Sequence, residues 1–63
     1  MLSNPKPGQR VVLHYRASAR GRMPHGARGV VEVPGNARPR NHLVRLDDGR
    51  VVVVPAGNLR KAD

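Results

Sequence analysis

Side chains able to do covalent or metal chemistry are scarce in this 63-residue chain and do not fall into working groups. There is no cysteine, which removes both a thiolate nucleophile and a thiolate zinc site. Ser3 and Ser18 have no base at a spacing that suggests activation, and a nucleophile needs an oriented base with a third group behind it. Glu32 stands alone, and the adjacent carboxylates of Asp47 and Asp48 sit in a turn-like stretch where they would point apart. His14, His25 and His42 would have to meet in space, alone or with a carboxylate, to hold a metal. Their spacing gives no reason for that, and all three read as surface polar residues, with His25 in "PHGARG" placed to meet a phosphate. The sequence therefore calls for no catalytic residue, no metal and no cofactor.

What the chain does carry is positive charge. Twelve Lys and Arg face four acids, a net +8, and ten of the twelve are Arg. A field of this sign concentrates polyanions and speeds their encounter. The arginines cluster: Arg16, Arg20, Arg22 and Arg28 bracket or occupy "ASARGRMPHGARG", and Arg38 and Arg40 lie in "PGNARPRN". A planar guanidinium binds phosphate oxygens in pairs. Gly21, Gly26 and Gly29 would let backbone N–H groups approach a phosphate chain as well. No helix offers itself to a major groove, and Tyr15 is the only aromatic, so base readout and base stacking are both disfavoured. The expected partner is DNA or RNA, met through its backbone without sequence preference.

The elements that must position these arginines are strands. "RVVLHYR" alternates, with Val11, Leu13 and Tyr15 on one face and Val12 and His14 on the other. "VVEV" follows a long Gly-containing loop and places Val31 and Val33 together, opposite Glu32. "HLVRL" sets Leu43 and Arg45 against Val44 and Leu46. Asp48-Gly49 is a strong hairpin signal of the primed-turn kind, and "RVVVV" is the returning strand. Pro55 ends it, "PAGN" makes one tight turn, and "LRK" is a short last strand. In this reading Val51 and Val53 fill the core. Val52 and Val54, with Val12 nearby, then face outward as an apolar surface for a protein partner or a second copy. No helical period is present.

Five short strands separated by Gly/Pro loops indicate an all-β domain of barrel type. The segments "PGQRVVL", "HGARGVVEV" and "VVVVPAGNLRK", in that order, resemble an SH3-like barrel, five-stranded with a one-turn 3-10 helix before the last strand. The first two are similar to KOW-type modules, a resemblance that implies RNA, ribosomal or RNA-polymerase partners. "HLVRLDDGRVVVVPAGNLRK" also resembles the RNA-polymerase-interacting domain of CarD-type transcription factors. The insertion "YRASARGRMP" departs from that pattern. The ending is similar too to the plasmid-borne type II dihydrofolate reductases, but Val52, Val53 and Val54 stand where that family has a Gln, an aliphatic residue and a Tyr, and valine cannot hydrogen-bond a pterin or nicotinamide, which rejects the activity. The resemblance implies that the two arginine loops flank one groove. The expected organisation is a lead-in over 1–7, the barrel over 8–61 and a tail over 62–63. No stretch is long and apolar enough for a membrane span, and "MLSNPKPGQR" is not a signal peptide. The expectation is a cytoplasmic accessory protein of a prokaryote, phage or plasmid.

Overall fold

The structure is a computed structural model that describes residues 2, 4–36 and 40–62. It is all-β: β1 (Arg10–Leu13), β2 (Arg28–Val33), β3 (Asn41–Leu46), β4 (Val51–Pro55) and β5 (Leu59–Lys61), with single 3-10 turns at Ala17–Ala19 and Ala56–Asn58. All ladders are antiparallel and join one sheet in the order β4-β3-β2-β1-β5. The second 3-10 turn falls before the last strand, as expected, and the order is consistent with an SH3-like arrangement. Closure is not reached: among the described residues β4 pairs with β3 alone and β5 with β1 alone, so the sheet keeps two edges.

Turn chemistry opens the chain. Gln9 N–H donates to the Lys6 carbonyl at 3.0 Å, with Pro7 and then Gly8 at φ 83° between them. Proline followed by a positive-φ glycine is the requirement of a type II turn. Gly8 N–H then donates to the Val31 carbonyl at 2.7 Å, tying the turn to β2. The lead-in belongs to the domain, because Pro5 is buried and Leu2 packs against the core. One face of the sheet supplies that core: Val11, Leu13, Tyr15, Val31, Val44, Leu46, Val54 and Leu59 are all buried.

Three readings of sidedness are corrected, and the first two have a register cause. Val33 does not join Val31, because β2 carries a bulge between them. Val31 pairs with Val44 but Val33 pairs with Leu43, so Glu32 and Val33 together face one partner residue. The extra residue sends Val33 to the outer surface, where it is 58% exposed.

The β3–β4 connection is a three-residue loop, not a two-residue primed turn. Gly49 N–H donates to the Leu46 carbonyl at 2.9 Å, and Leu46 N–H donates to the Arg50 carbonyl at 2.7 Å. Only Gly49 has positive φ, at 96°, and Asp48 does not. This is a type I turn closed by a glycine bulge. The longer loop sets Val44 opposite Val52 and Leu43 opposite Val53. A two-residue loop at Asp48-Gly49 would have set Val44 opposite Val53 instead. Slipping by one residue exchanges the faces. The valine assignment is therefore inverted: Val54 is fully buried and Val52 packs against the core, while Val51 and Val53 are exposed. Val12 lies half-buried between Arg28 and Arg60, on a strand separated from β4 by β2 and β3. The expected protein-facing surface of Val52, Val54 and Val12 does not exist.

The third correction is His42, which is fully buried beside the core valines. β2 and β3 also approach closely at Gly29, where a Cβ would lie 2.3 Å from the Arg45 carbonyl oxygen.

The inverted valines give a direct test. Val54→Ala removes two buried methyls and leaves a cavity, an expected loss of about 2 kcal/mol. Val53→Ala, on the exposed face, is expected to change stability by no more than about 0.5 kcal/mol. Urea unfolding of the two variants checks the order, and equal losses would contradict this register.

Candidate nucleic-acid interface

The carboxylates decide which arginines stay available. Arg10 donates two guanidinium N–H bonds to the Asp47 carboxylate, each 3.2 Å long. Arg45 pairs with Glu32, and Arg50 Nε donates to Asp48 at 2.8 Å. Among the described residues these are all the ion pairs, and none involves an arginine selected from the sequence as a phosphate ligand. Arg16, Arg20, Arg22 and Arg28 are exposed and Arg40 is half-exposed. Arg28 opens β2, and its carbonyl accepts from Asp47 N–H at 2.9 Å. Arg38 lies outside the described residues. Among the described residues Arg60 has no carboxylate partner, and its guanidinium donates to the Gly57 and Leu59 carbonyls at 3.0 Å; no spacing in the sequence singled it out.

The loop carrying Arg16, Arg20 and Arg22 is folded upon itself. Arg16 precedes the Ala17–Ala19 turn and its carbonyl accepts from Ala19 N–H at 2.9 Å. Met23 N–H returns to the Ala19 carbonyl at 3.0 Å. Arg20 Nε donates to the Tyr15 carbonyl at 2.8 Å, which anchors that side chain and leaves its two terminal nitrogens for a ligand. Pro24-His25-Gly26-Ala27 closes the loop as a type II turn, with Gly26 at φ 82° and Ala27 N–H donating to the Pro24 carbonyl at 3.2 Å.

The Ala56–Asn58 turn connects the bases of the two arginine loops. Ala56 N–H donates to the Arg40 carbonyl at 3.0 Å. Asn58 accepts His14 N–H at 2.8 Å through its carbonyl and donates its side-chain amide to the His14 carbonyl at 2.9 Å. Two residues beyond Ala56 cannot span more than roughly 7 Å, so Arg40 and the start of the β1–β2 loop lie on either side of a narrow ridge.

Two of the three histidines, His25 and His42, are structural at their Nδ1 atoms. His25 Nδ1 accepts from Tyr15 N–H at 2.9 Å, and the ring packs edge-on against His14 at a centroid distance of 5.1 Å. His42 Nδ1 accepts from Gly35 N–H at 2.9 Å. An accepting Nδ1 is unprotonated, so each neutral ring carries its proton on Nε2. In His42 that Nε2 is buried with no hydrogen-bond partner among the described residues. Burial, then the charge of Arg40, lowers the His42 pKa below its ordinary value. Desolvation, then Arg20 and His14, lowers that of His25. Burial raises the Tyr15 hydroxyl, and hydrogen bonds from Arg50 hold Asp48 below the usual carboxylate range. Among the described residues no three His, Cys, Asp or Glu side chains come together, and no helix is long and apolar enough to cross a membrane.

Fold and site together define a small all-β domain with a basic, self-folded loop. No protein-family model matches the chain, and comparison with curated proteins and with solved structures likewise returns no match.

The lowered histidines set a pH dependence. Both bind a proton more readily in the unfolded chain, at about pH 6.5, than in the fold. Stability is therefore expected to be complete above that value and to fall as the pH drops below it. His42→Asn keeps an acceptor for Gly35 N–H but cannot titrate, and should flatten the decline. Thermal unfolding from pH 8 to 5 reads the effect; a midpoint that rises on acidification would contradict it.

Proposed function

We propose that this protein is a non-catalytic nucleic-acid-binding module that grips the phosphate backbone through its β1–β2 loop. The observation that supports it most is how the carboxylates are distributed. Glu32, Asp47 and Asp48 each take an arginine outside the two loops, so among the described residues no carboxylate pairs with Arg16, Arg20 or Arg22. Arg28 is exposed and Arg40 half-exposed, which leaves both accessible to phosphate as well. Without a recognition helix and with its one tyrosine buried, the domain has no device for reading bases. Binding is accordingly phosphate-directed and indifferent to sequence.

The competing reading, docking on RNA polymerase or another protein through Val52 and Val54, loses its surface, because those side chains are turned into the core.

Fluorescence anisotropy with labelled duplex DNA, single-stranded DNA and RNA at several salt concentrations tests the proposal. About four phosphate contacts give an expected log–log salt slope near −3.6 on duplex DNA. Arg16→Glu with Arg22→Glu is expected to weaken binding at least tenfold. Lys6→Glu with Lys61→Glu changes the net charge equally and is expected to weaken it much less. Equal losses would mean a diffuse charge effect, and absence of binding at low salt would overturn the reading.

A further inference from the structure

The exposed half of the valine run lies on an open sheet edge. Arg50 and Ala56 both direct backbone groups at β3, through the Leu46 N–H to Arg50 carbonyl bond of 2.7 Å and the Ala56 N–H to Arg40 carbonyl bond of 3.0 Å. In an antiparallel ladder this direction alternates residue by residue. Val52 and Val54 therefore face β3, and the N–H and C=O groups of Val51 and Val53 face away from the sheet. Pro55 ends the row of donors. The same two residues are the exposed ones, Val51 at 45% and Val53 at 64%. Beside them on the outer surface, Leu43 pairs with Val53 and Val33 pairs with Leu43. Backbone donors, backbone acceptors and an apolar strip thus coincide at one place.

We propose that this β4 edge is the contact between two copies of the chain, paired antiparallel about a two-fold axis at Val52. In that register Val51 meets the partner's Val53 and Val53 meets the partner's Val51, each pair exchanging an N–H and a C=O, four hydrogen bonds in all. An isologous contact needs the same patch on both subunits, and this edge is self-complementary. Charge favours a second copy over a charged partner. Arg45, opposite Val51 in the ladder, and Arg50, next to it in the chain, are already paired with Glu32 and Asp48, so both charges flanking Val51 are compensated in a protein of net +8. An exposed strand edge without a charged residue among its valines is also a template for like chains. The apolar strips of the two copies, each of Val33, Leu43, Val51 and Val53, join into one surface across the axis. With only two donor residues per edge, the dimer is weak and concentration-dependent.

Sedimentation equilibrium of the nucleic-acid-free protein, at low and high salt, tests the contact. The mass should rise with concentration from 6.9 kDa toward twice that value. It should rise more readily in high salt, because screening relieves the repulsion between two cationic copies. Polyanion binding has the opposite salt response, so either idea can fail without the other. Val53→Pro removes an outward donor without touching the β3–β4 ladder. It is expected to weaken association at least tenfold while circular dichroism stays unchanged. Val53→Lys, which places like charge in an exposed position, should do the same if the proline variant unfolds. A mass of 6.9 kDa at every concentration up to about 1 mM would overturn the proposal. So would a dimer that both variants leave intact, or assembly that continues past two copies.

Discussion

The three-residue turn at Asp47-Asp48-Gly49 is the constraint on which the rest of the molecule depends. Gly49 at φ 96° absorbs the bulge that lets Leu46 and Arg50 close the hairpin. A side chain at that φ would cost about 1–2 kcal/mol, a large share of what so small a domain has. The loop length then sets the parity of β4. Val52 and Val54 go to the core with Val44, and Val51 and Val53 go to the surface with Leu43 and Arg45. One turn thereby completes the hydrophobic core and prepares the outer edge. The two asparates stabilise the turn locally: Asp48 accepts from Arg50 N–H at 3.0 Å, and Asp47 N–H reaches across to β2.

Scarcity of carboxylate organises the surface in the same way that scarcity of large apolar residues organises the interior. The three described acids all sit on or beside the strands: Glu32 pairs with Arg45 between β2 and β3, Asp47 reaches Arg10 of β1 across β2, and Asp48 pairs with Arg50 within the β3–β4 turn. None of these three pairs reaches the β1–β2 loop. Its order comes instead from main-chain bonds, from the His25 ring that accepts Tyr15 N–H, and from Arg20 Nε on the Tyr15 carbonyl. A loop held without carboxylates keeps its guanidiniums free for an anion. Structure and charge are thus compatible there: ordering the loop takes one nitrogen of Arg20 and leaves its terminal nitrogens to bind.

His42 shows the opposite compromise. Its Nδ1 supplies the acceptor that Gly35 N–H needs where β2 leaves the sheet, but its Nε2 is buried without a partner among the described residues. An orphaned donor of this kind costs about 1–3 kcal/mol. The ring volume offsets part of that, since a core built from valine and leucine has few other ways to fill space.

Much of this fold is legible in the chain itself. Alternation places Val11, Leu13 and Tyr15 on one face and separates Val44 and Leu46 from Leu43 and Arg45, and glycine and proline mark the turns. The density of arginine in the two loops is equally plain from composition and position. What four consecutive valines cannot show is which of them are inside, because identical neighbours carry no period. Nor can "VVEV" reveal a bulge, since the extra residue is defined only by the strand opposite it. The buried state of His42 and the pairing of Arg10 with Asp47 and of Arg45 with Glu32 are likewise relations between residues distant in sequence. The sequence by itself determined the elements and their charge, because hydrophobic period and turn propensity are local. Register, facing and the choice of which arginines stay unpaired were decided only by the tertiary structure, because each depends on a partner strand and a single-residue shift reverses it.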